Sequence, residues 1–203
     1  MVARTWLFRR ERGSRASLLF GVKDPSSLRL RIHPDPALRE RAEAVASVDD
    51  EVRAIASRMI EIMREADGIG LAAPQVGVGM RIFVCDVPAD PADPEPGEAA
   101  LGTEGPIVCI NPEIVDPSDE RSPFDEGCLS LPGLRGDVIR PEEVTLRALD
   151  MQGEPFELRA GGLLSRCVQH EADHLDGVMI IDRMTQMARL RNRRKLREME
   201  RGQ

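Results

Sequence analysis

The chain is organised around residues 163–175, which read LLSRCVQHEADHL. A pair of glycines precedes this stretch and Gly177 follows it, a pattern that predicts a helix ended by a glycine. His170 and His174 are about one helical turn apart, so both imidazoles lie on one face and can reach a single metal ion. Glu171 projects beside them, close enough to accept a proton from a water molecule at that metal. The stretch predicts a metal-binding H-E-x-x-H helix; the alternative is a chance pattern of two core or surface histidines.

Two histidines do not complete a metal site, and the sequence offers several candidates for a third ligand. The extended pattern H-E-x-x-H-x-x-G-x-x-H is broken, because Ile180 occupies the position of its third histidine. Cys128 is the better candidate: it lies in a predicted loop, E-G-C-L-S, and a thiolate with two imidazoles leaves a fourth position open for water. The alternatives, either remote or in a charged helix, are His33, Glu198 and Glu200.

The other three cysteines favour a structural interpretation. Cys85, Cys109 and Cys167 each lie within an apolar stretch, which is typical of buried core thiols. The chain contains no C-x-x-C pair, so its cysteines do not indicate a disulfide framework and fit a reducing compartment.

Residues 68–75, GIGLAAPQ, are the third informative segment. The segment lacks the Lys-Ser/Thr of a phosphate-binding loop and the strand-to-helix context of a dinucleotide site. Its small residues would let a substrate backbone lie close, and the Gln75 side chain offers an N–H₂ donor to a carbonyl oxygen that gains negative charge. On its own the segment indicates no more than a tight loop.

The remaining pattern predicts one α+β domain. Because helices and strands do not alternate regularly, we expect largely antiparallel sheets packed around the central H-E-x-x-H helix, with a C-terminal helix. Residues 28–203 would form this single catalytic domain, and residues 1–27 a disordered extension or, alternatively, an organellar import segment. An acidic loop is expected at 90–106. The predicted helices are 49–66, 163–175 and 185–200, and the predicted strands are 81–87, 107–115 with a turn at 111–112, 138–139, 144–149 and 155–158.

Composition excludes several functional classes. The chain has 28 Lys and Arg residues against 35 Asp and Glu residues, a net charge of −7, so no global basic field attracts nucleic acid. No apolar run reaches the roughly 18 residues that a bilayer requires, so we expect no membrane partner. The N-terminal residues also lack the apolar segment of a signal peptide.

Positive charge is nevertheless concentrated in the predicted C-terminal helix. One interpretation is a solvated charged helix, and the other is a surface that docks on ribosomal RNA through phosphate contacts. The basic residues are Arg183, Arg189, Arg191, Arg193, Arg194, Lys195, Arg197 and Arg201.

Three segments together resemble the peptide deformylase family, in its bacterial type 1 form. The family patterns G-x-G-x-A-A-x-Q, E-G-C-L-S and H-E-x-D-H occur in this order and without a mismatch at residues 68–75, 126–130 and 170–174. The resemblance implies removal of the formyl group from the N-terminal formylmethionine of nascent polypeptides, with release of formate, in the bacterial cytoplasm. We also expect a monomer.

The resemblance further implies a metal centre. One divalent metal would be bound, usually Fe²⁺ in this family, with Zn²⁺, Ni²⁺ or Co²⁺ as substitutes. Glu171 would be the general base, and Arg140 would pair with Glu126 in support of the site. The implied metal ligands are Cys128, His170 and His174.

Substrate contacts are implied in the same way. The Gln75 side chain and the Leu129 backbone N–H would hold the developing oxyanion, and the Gly70 backbone would pair with the peptide. Arg135 would lie near the substrate chain, whereas Arg166 stands where the family often has an apolar pocket residue. The candidates for an apolar methionine pocket are Ile69, Leu163 and Cys167.

Other functional classes remain open from the residues alone. Cys128 could be the nucleophile of a cysteine amidohydrolase with a histidine as its base. A non-catalytic ribosome-associated factor would instead carry a structural metal, and a different metallopeptidase would share the same H-E-x-x-H motif.

Overall fold

The structure is a computed structural model that describes residues 24–88 and 98–201. Most of the expected extension at 1–27 lies outside the described residues, whereas Pro25–Ser27 form a short 3-10 helix. Residues 90–97, the first part of the expected acidic loop at 90–106, also lie outside them.

The described residues contain helices and strands in the mixed order that the sequence predicts. Short 3-10 helices occur at Pro36–Arg39 and Ala73–Val76. The α-helices are α1 (Asp50–Glu65), α2 (Gly162–Leu175), α3 (Ile180–Arg183) and α4 (Gln186–Arg201). The strands are β1 (Gly70–Ala72), β2 (Ile82–Cys85), β3 (Ile107–Val115), β4 (Arg121–Gly127), β5 (Arg135–Pro141), β6 (Val144–Leu149) and β7 (Pro155–Ala160).

The strands form two sheets, and each strand pair within them is antiparallel. The larger sheet has the order β1-β2-β3-β6-β7, and the smaller sheet is the β4-β5 hairpin. Helix α2 contacts strands of both sheets, and its buried residues Leu164, Val168 and Leu175 share a core with Phe83 of β2 and Leu146 of β6. The predicted α+β architecture, with a central helix and a C-terminal helix, is therefore confirmed.

Helix α1 forms the second half of the core. The Asp49 carboxylate accepts a hydrogen bond from the Val52 backbone N–H at 3.0 Å and so caps the first turn. Ile55 and Met59 follow at helical spacing and are fully buried against β1 and β2. The helix thus packs against strand β1, which lies within the 68–75 segment.

Three local features differ from the sequence prediction. The segment at 68–75 contains strand β1, because its small residues pair in register with β2. The predicted turn at 111–112 is a bulge within β3, where Asn111 adopts a φ of 51° and its side-chain amide bonds both the N–H and the C=O of Val45. Strand β4 was not predicted, because its mostly exposed residues and internal Pro123 lack strand periodicity.

Among the described residues, no helix combines the length and apolarity needed to cross a bilayer. The last of these helices is α4. Its Ala188 is fully buried and packs near Gly136 of β5. The helix therefore lies against the same hairpin that leads into the E-G-C-L-S segment.

Candidate metal centre

Three side chains predicted as metal ligands converge at one point. The candidate ligand atoms of Cys128, His170 and His174 all lie within 4.8 Å of one another, and Cys128 Sγ is 3.3 Å from His174 Nε2. The alternative third ligands do not join this cluster, since the side chain of His33 lies instead 4.0 Å from that of Glu200. Among the described residues the structure thus offers one sulfur and two ring nitrogens for a single cation.

Local backbone geometry explains the convergence. His170 and His174 extend from successive turns of α2, with ring centroids 5.0 Å apart and ring planes at 68°. Cys128 directly follows β4, whose last residue Gly127 pairs with Arg135 of β5. The hairpin register therefore decides where the thiol meets the helix.

The ring of His170 is held by a buried carboxylate. Its Nδ1 lies 3.2 Å from Glu126 Oε2, which leaves Nε2 for the cluster. The expected pair between Arg140 and Glu126 is present, with Nε donating to Oε1 at 2.8 Å and Nη2 donating to Oε2 at 3.1 Å. Burial raises the pKa of Glu126, but the hydrogen bonds from His170 and Arg140 lower it overall. Glu126 is thus an ionised acceptor behind the ligand.

Glu171 lies beside the cluster and is buried in the wall of the site. Its side chain is buried, and Oε2 has no hydrogen-bond partner among the described residues. Burial is the main cause that raises the pKa of Glu171 to about 7. A Cβ on Gly70 would overlap Glu171 Oε1 and Cys167 Sγ, so only glycine leaves space there. The carboxylate therefore packs directly against the Gly70 backbone.

Gln75 is oriented by its carbonyl oxygen. Oε1 accepts a hydrogen bond from the Ala72 backbone N–H at 2.8 Å, which assigns the other end of the amide as Nε2. Nε2 then lies 3.2 Å from Ser130 Oγ and 3.6 Å from Cys128 Sγ. The amide donor thus points into the site.

A cavity of about 690 Å³ opens over the cluster, and most of the predicted site residues line it. His174 is the exception, because it is buried behind the other ligands. Leu163 is half-exposed at the rim, and Arg135 pairs with Asp125 at 2.6 Å. The predicted residues that line the cavity are Ile69, Gly70, Gln75, Cys128, Leu129, Arg135, Leu163, Cys167, His170 and Glu171.

Arg166 and Phe124 also line the cavity. The sequence left the role of Arg166 ambiguous and did not predict Phe124. The Arg166 guanidinium is buried and donates to the Ser122 carbonyl at 2.9 Å and the Val138 carbonyl at 3.4 Å. Its charge is paired with Glu142 at 3.4 Å and Glu126 at 3.9 Å. Its Cζ also lies 5.1 Å from the ring centroid of Phe124, which lines the cavity. No local sequence signal identifies Phe124, because only the hairpin register brings it to the cavity.

The donor set fits a catalytic metal. One thiol and two imidazoles are three ligands of the kind that catalytic zinc-type sites use, with a position left for water or substrate. The oriented imidazole of His170 and the adjacent buried carboxylate of Glu171 complete the arrangement. The fold and the site define a metal-dependent hydrolase.

Comparisons with known proteins identify the family. The family model described as "Polypeptide deformylase" matches residues 27–190. The chain is 48 % identical over 164 residues to a peptide deformylase of Picosynechococcus sp., covering 81 % of this chain and 82 % of the relative. It is 47 % identical over 174 residues to a peptide deformylase of Alkalilimnicola ehrlichii, covering 86 % and 91 %.

Solved structures agree with the sequence relatives. The peptide deformylase of Ehrlichia chaffeensis superposes with a TM-score of 0.78 at 38 % identity, covering 86 % of this chain and 97 % of that one. The peptide deformylase of Thermotoga maritima gives a TM-score of 0.69 at 40 % identity, covering 78 % and 97 %. The chain belongs to the polypeptide deformylase family.

Proposed function

We propose that Cys128, His170 and His174 hold one divalent metal, Fe²⁺ in the cell, at which Glu171 directs the hydrolysis of a formyl amide. The reaction follows from family membership: the enzyme is a metal-dependent hydrolase that removes the N-formyl group from nascent peptides. The observation that carries the residue roles is the convergence of the three donors beside a buried carboxylate.

The metal would supply the two effects that an amide hydrolysis near neutral pH lacks in water. When bound, it would lower the pKa of a water molecule to about 7 and polarise the carbonyl group. Zn²⁺, Ni²⁺ and Co²⁺ can use the same donors, since thiolate and imidazole ligands suit all of these borderline cations.

Glu171 moves the proton in this proposal. Its Oε2, which is buried and has no partner in the described residues, accepts a proton from the attacking water and later returns it to the leaving amine nitrogen. A carboxylate whose pKa lies at about 7 is matched to both transfers near neutral pH.

Gln75 and Leu129 would stabilise the negative charge that develops on the formyl oxygen. The Gln75 amide already has its Nε2 directed into the site, and the Leu129 backbone lies in the wall beside Cys128. Preorganised donors of this kind each contribute about 3 kcal/mol to many acyl-transfer reactions.

The cavity suits a methionine side chain and an extended peptide. The Gly70 backbone would pair with the substrate chain, and glycine is needed there because a side chain would collide with Glu171 and Cys167. Arg135, half-exposed at the hairpin, would lie along the rest of the peptide. The apolar pocket for methionine would include Ile69, Leu163 and Cys167.

Beyond the site, we extend the proposal to the chain as a whole. Residues 28–203 act as a single catalytic domain, a monomer in the bacterial cytoplasm. The solvent-facing basic residues of α4 dock on ribosomal RNA, which would bring the enzyme to nascent chains; such binding should weaken steeply with salt. Removal of the residues after Arg183 should then abolish ribosome binding, and unchanged binding would exclude this role for α4.

One observation also suits a second mechanism. The 3.3 Å contact between Cys128 Sγ and His174 Nε2 is the geometry expected of a thiol nucleophile and its base. That mechanism leaves Glu171 and His170 without a catalytic role. A cysteine enzyme would survive chelation and lose activity on thiol alkylation, whereas the metal mechanism predicts loss of activity on chelation.

Anaerobic metal analysis paired with a formate-release assay on a formyl-Met peptide tests the proposal. The protein should contain one metal per chain and release formate. Glu171→Ala should keep the metal and lose turnover, whereas Cys128→Ala should lose the metal. A fully metallated Cys128→Ala protein would show that another residue supplies the third ligand, and the absence of formate release would leave a non-catalytic factor.

A further inference from the structure

The charged residues behind His170 continue beyond the pair that holds its ring. Arg140 donates through Nε and Nη2 to Glu126, and its remaining Nη1 donates to Asp173 Oδ2 at 2.8 Å. Asp173 Oδ1 in turn accepts from Arg183 Nη2 at 2.7 Å. We call the set Arg183, Asp173, Arg140 and Glu126 the charged brace; it runs from the last residue of α3 to the ring of His170.

Burial makes the inner part of this brace sensitive to its partners. The side chains of Arg140 and Asp173 are 6 % and 14 % exposed, whereas that of Arg183 is 53 % exposed. Removing one partner from a buried ion pair leaves the other charge without compensation, and the remaining groups then move to recover hydrogen bonds. If Asp173 lost its charge, Glu126 would be the remaining ion-pair partner of Arg140 in the brace, and the Arg140 guanidinium would shift toward it.

The charges of the brace also indicate that the contact between Glu126 and His170 depends on Asp173. Two carboxylates face two guanidiniums in the charged brace, and Arg166, which lies 3.9 Å from Glu126, is itself paired with Glu142 at 3.4 Å. Without the Asp173 charge the brace carries excess positive charge next to Glu126. That excess weakens Glu126 as an acceptor for the His170 N–H and loosens the ring.

We infer that Asp173 is a positioning residue of the metal centre, which acts through Arg140 and Glu126 to hold His170 in the orientation that binds the metal. It immediately precedes His174 and lies three residues after His170 on α2, but its carboxylate pairs with Arg140 and Arg183 and not with a proposed ligand. Arg183 anchors the outer end. This inference rests on the proposed metal centre and adds a determinant of metal retention that lies outside the cavity.

The test measures metal release and not only turnover. The Ni²⁺-loaded protein is mixed with an excess of a chromogenic chelator, and the first-order release rate is followed by absorbance. Asp173→Asn keeps the size of the side chain and should accelerate release about 10-fold, the lower end of the effect of losing a residue that hydrogen-bonds a ligand, because Asp173 acts through Arg140 and Glu126. Arg183→Gln should accelerate it less, because Arg140 still holds Asp173. Visible spectra of the Co²⁺-loaded proteins should shift in the same order.

Asp176 provides a matched control on the same helix end. Its Oδ1 is also shared by two arginines, Arg81 at 2.8 Å and Arg41 at 3.5 Å, but neither of them contacts a proposed ligand or its carboxylate partner. Asp176→Asn should therefore leave the release rate unchanged. If it accelerates release as much as Asp173→Asn, the effect is general loosening of α2 and the inference is wrong.

The outcomes also separate this inference from the proposed function. A parent protein that binds no stoichiometric metal overturns both. A parent that binds one metal per chain, with Asp173→Asn releasing it at an unchanged rate, overturns the brace alone. If Asp173→Asn does not fold, the half-exposed Arg183→Gln carries the test, and an unchanged rate there rejects the brace as an anchor of His170.

Discussion

The two ends of the Gln75 side chain have separate contacts, so substitutions can divide its structural role from its catalytic one. Oε1 accepts from the buried Ala72 N–H, and Nε2 is directed to Ser130 and Cys128. Gln75→Met removes both functions without adding charge. Gln75→Glu keeps an acceptor for Ala72 but replaces the donor with a second carboxylate oxygen.

The expected magnitudes follow from these contacts. Loss of one oxyanion donor raises the barrier by about 3 kcal/mol, which lowers kcat about 10²-fold. Gln75→Met should also lose about 1–3 kcal/mol of unfolding free energy, because the buried Ala72 N–H is left unpaired. Gln75→Glu should lose at least as much turnover, because a carboxylate repels the oxyanion.

The assay is formate release from a formyl-Met peptide, with metal content and urea unfolding measured on the same samples. Ser130→Ala is the control, since it removes only the neutral partner of Nε2 and should change kcat by less than about threefold, under 1 kcal/mol. If Gln75→Met keeps its metal and its kcat lies within about threefold of the parent, the assignment of Nε2 to the oxyanion is refuted.

Three further predictions concern space, capping and pH. Gly70→Ala should reduce turnover about 10²-fold by displacing Glu171 while metal content stays constant; Gly105→Ala, where a Cβ meets nothing within 4 Å, should have no effect. Asp49→Ala should lower the unfolding free energy by about 1 kcal/mol in urea, and an unchanged midpoint would refute the cap. Burial raises the pKa of Asp182, but hydrogen bonds from an arginine and a backbone N–H lower it overall, so its stabilisation exists above the unfolded pKa of about 3.9 and is lost as pH falls through the folded value. Asp182→Asn should therefore destabilise the protein at pH 7, with a difference that disappears in strong acid; a difference that persists there would contradict the assignment.

Much of the fold could be predicted because its signals are local. The spacing of His170 and His174 places both rings on one helix face, whatever surrounds the helix. The cap of α1 and its buried Ile55 and Met59 likewise follow from neighbouring residues. The α+β class followed from the order of such elements, since strands without regular crossover helices pair as antiparallel sheets.

Other features had no local signal. Strand β4 exposes most of its residues and contains Pro123, so only pairing with β5 defines it as a strand. The buried direction of Arg166 depends on backbone carbonyls from that hairpin, and Phe124 reaches the cavity for the same reason. Such contacts join residues far apart in the chain, and hydrophobic periodicity does not report them.

The sequence alone predicts the H-E-x-x-H helix with His170, Glu171 and His174 close together, because an α-helix places residues four apart on a common face. At that level Cys128 was the preferred third ligand, with His33 or a C-terminal glutamate as alternatives. The hairpin register brings the thiol to 3.3 Å from His174 and leaves His33 beside Glu200. Only the tertiary structure shows the thiol beside the two rings, because donors from separate elements come together only once the sheets and the helix have packed.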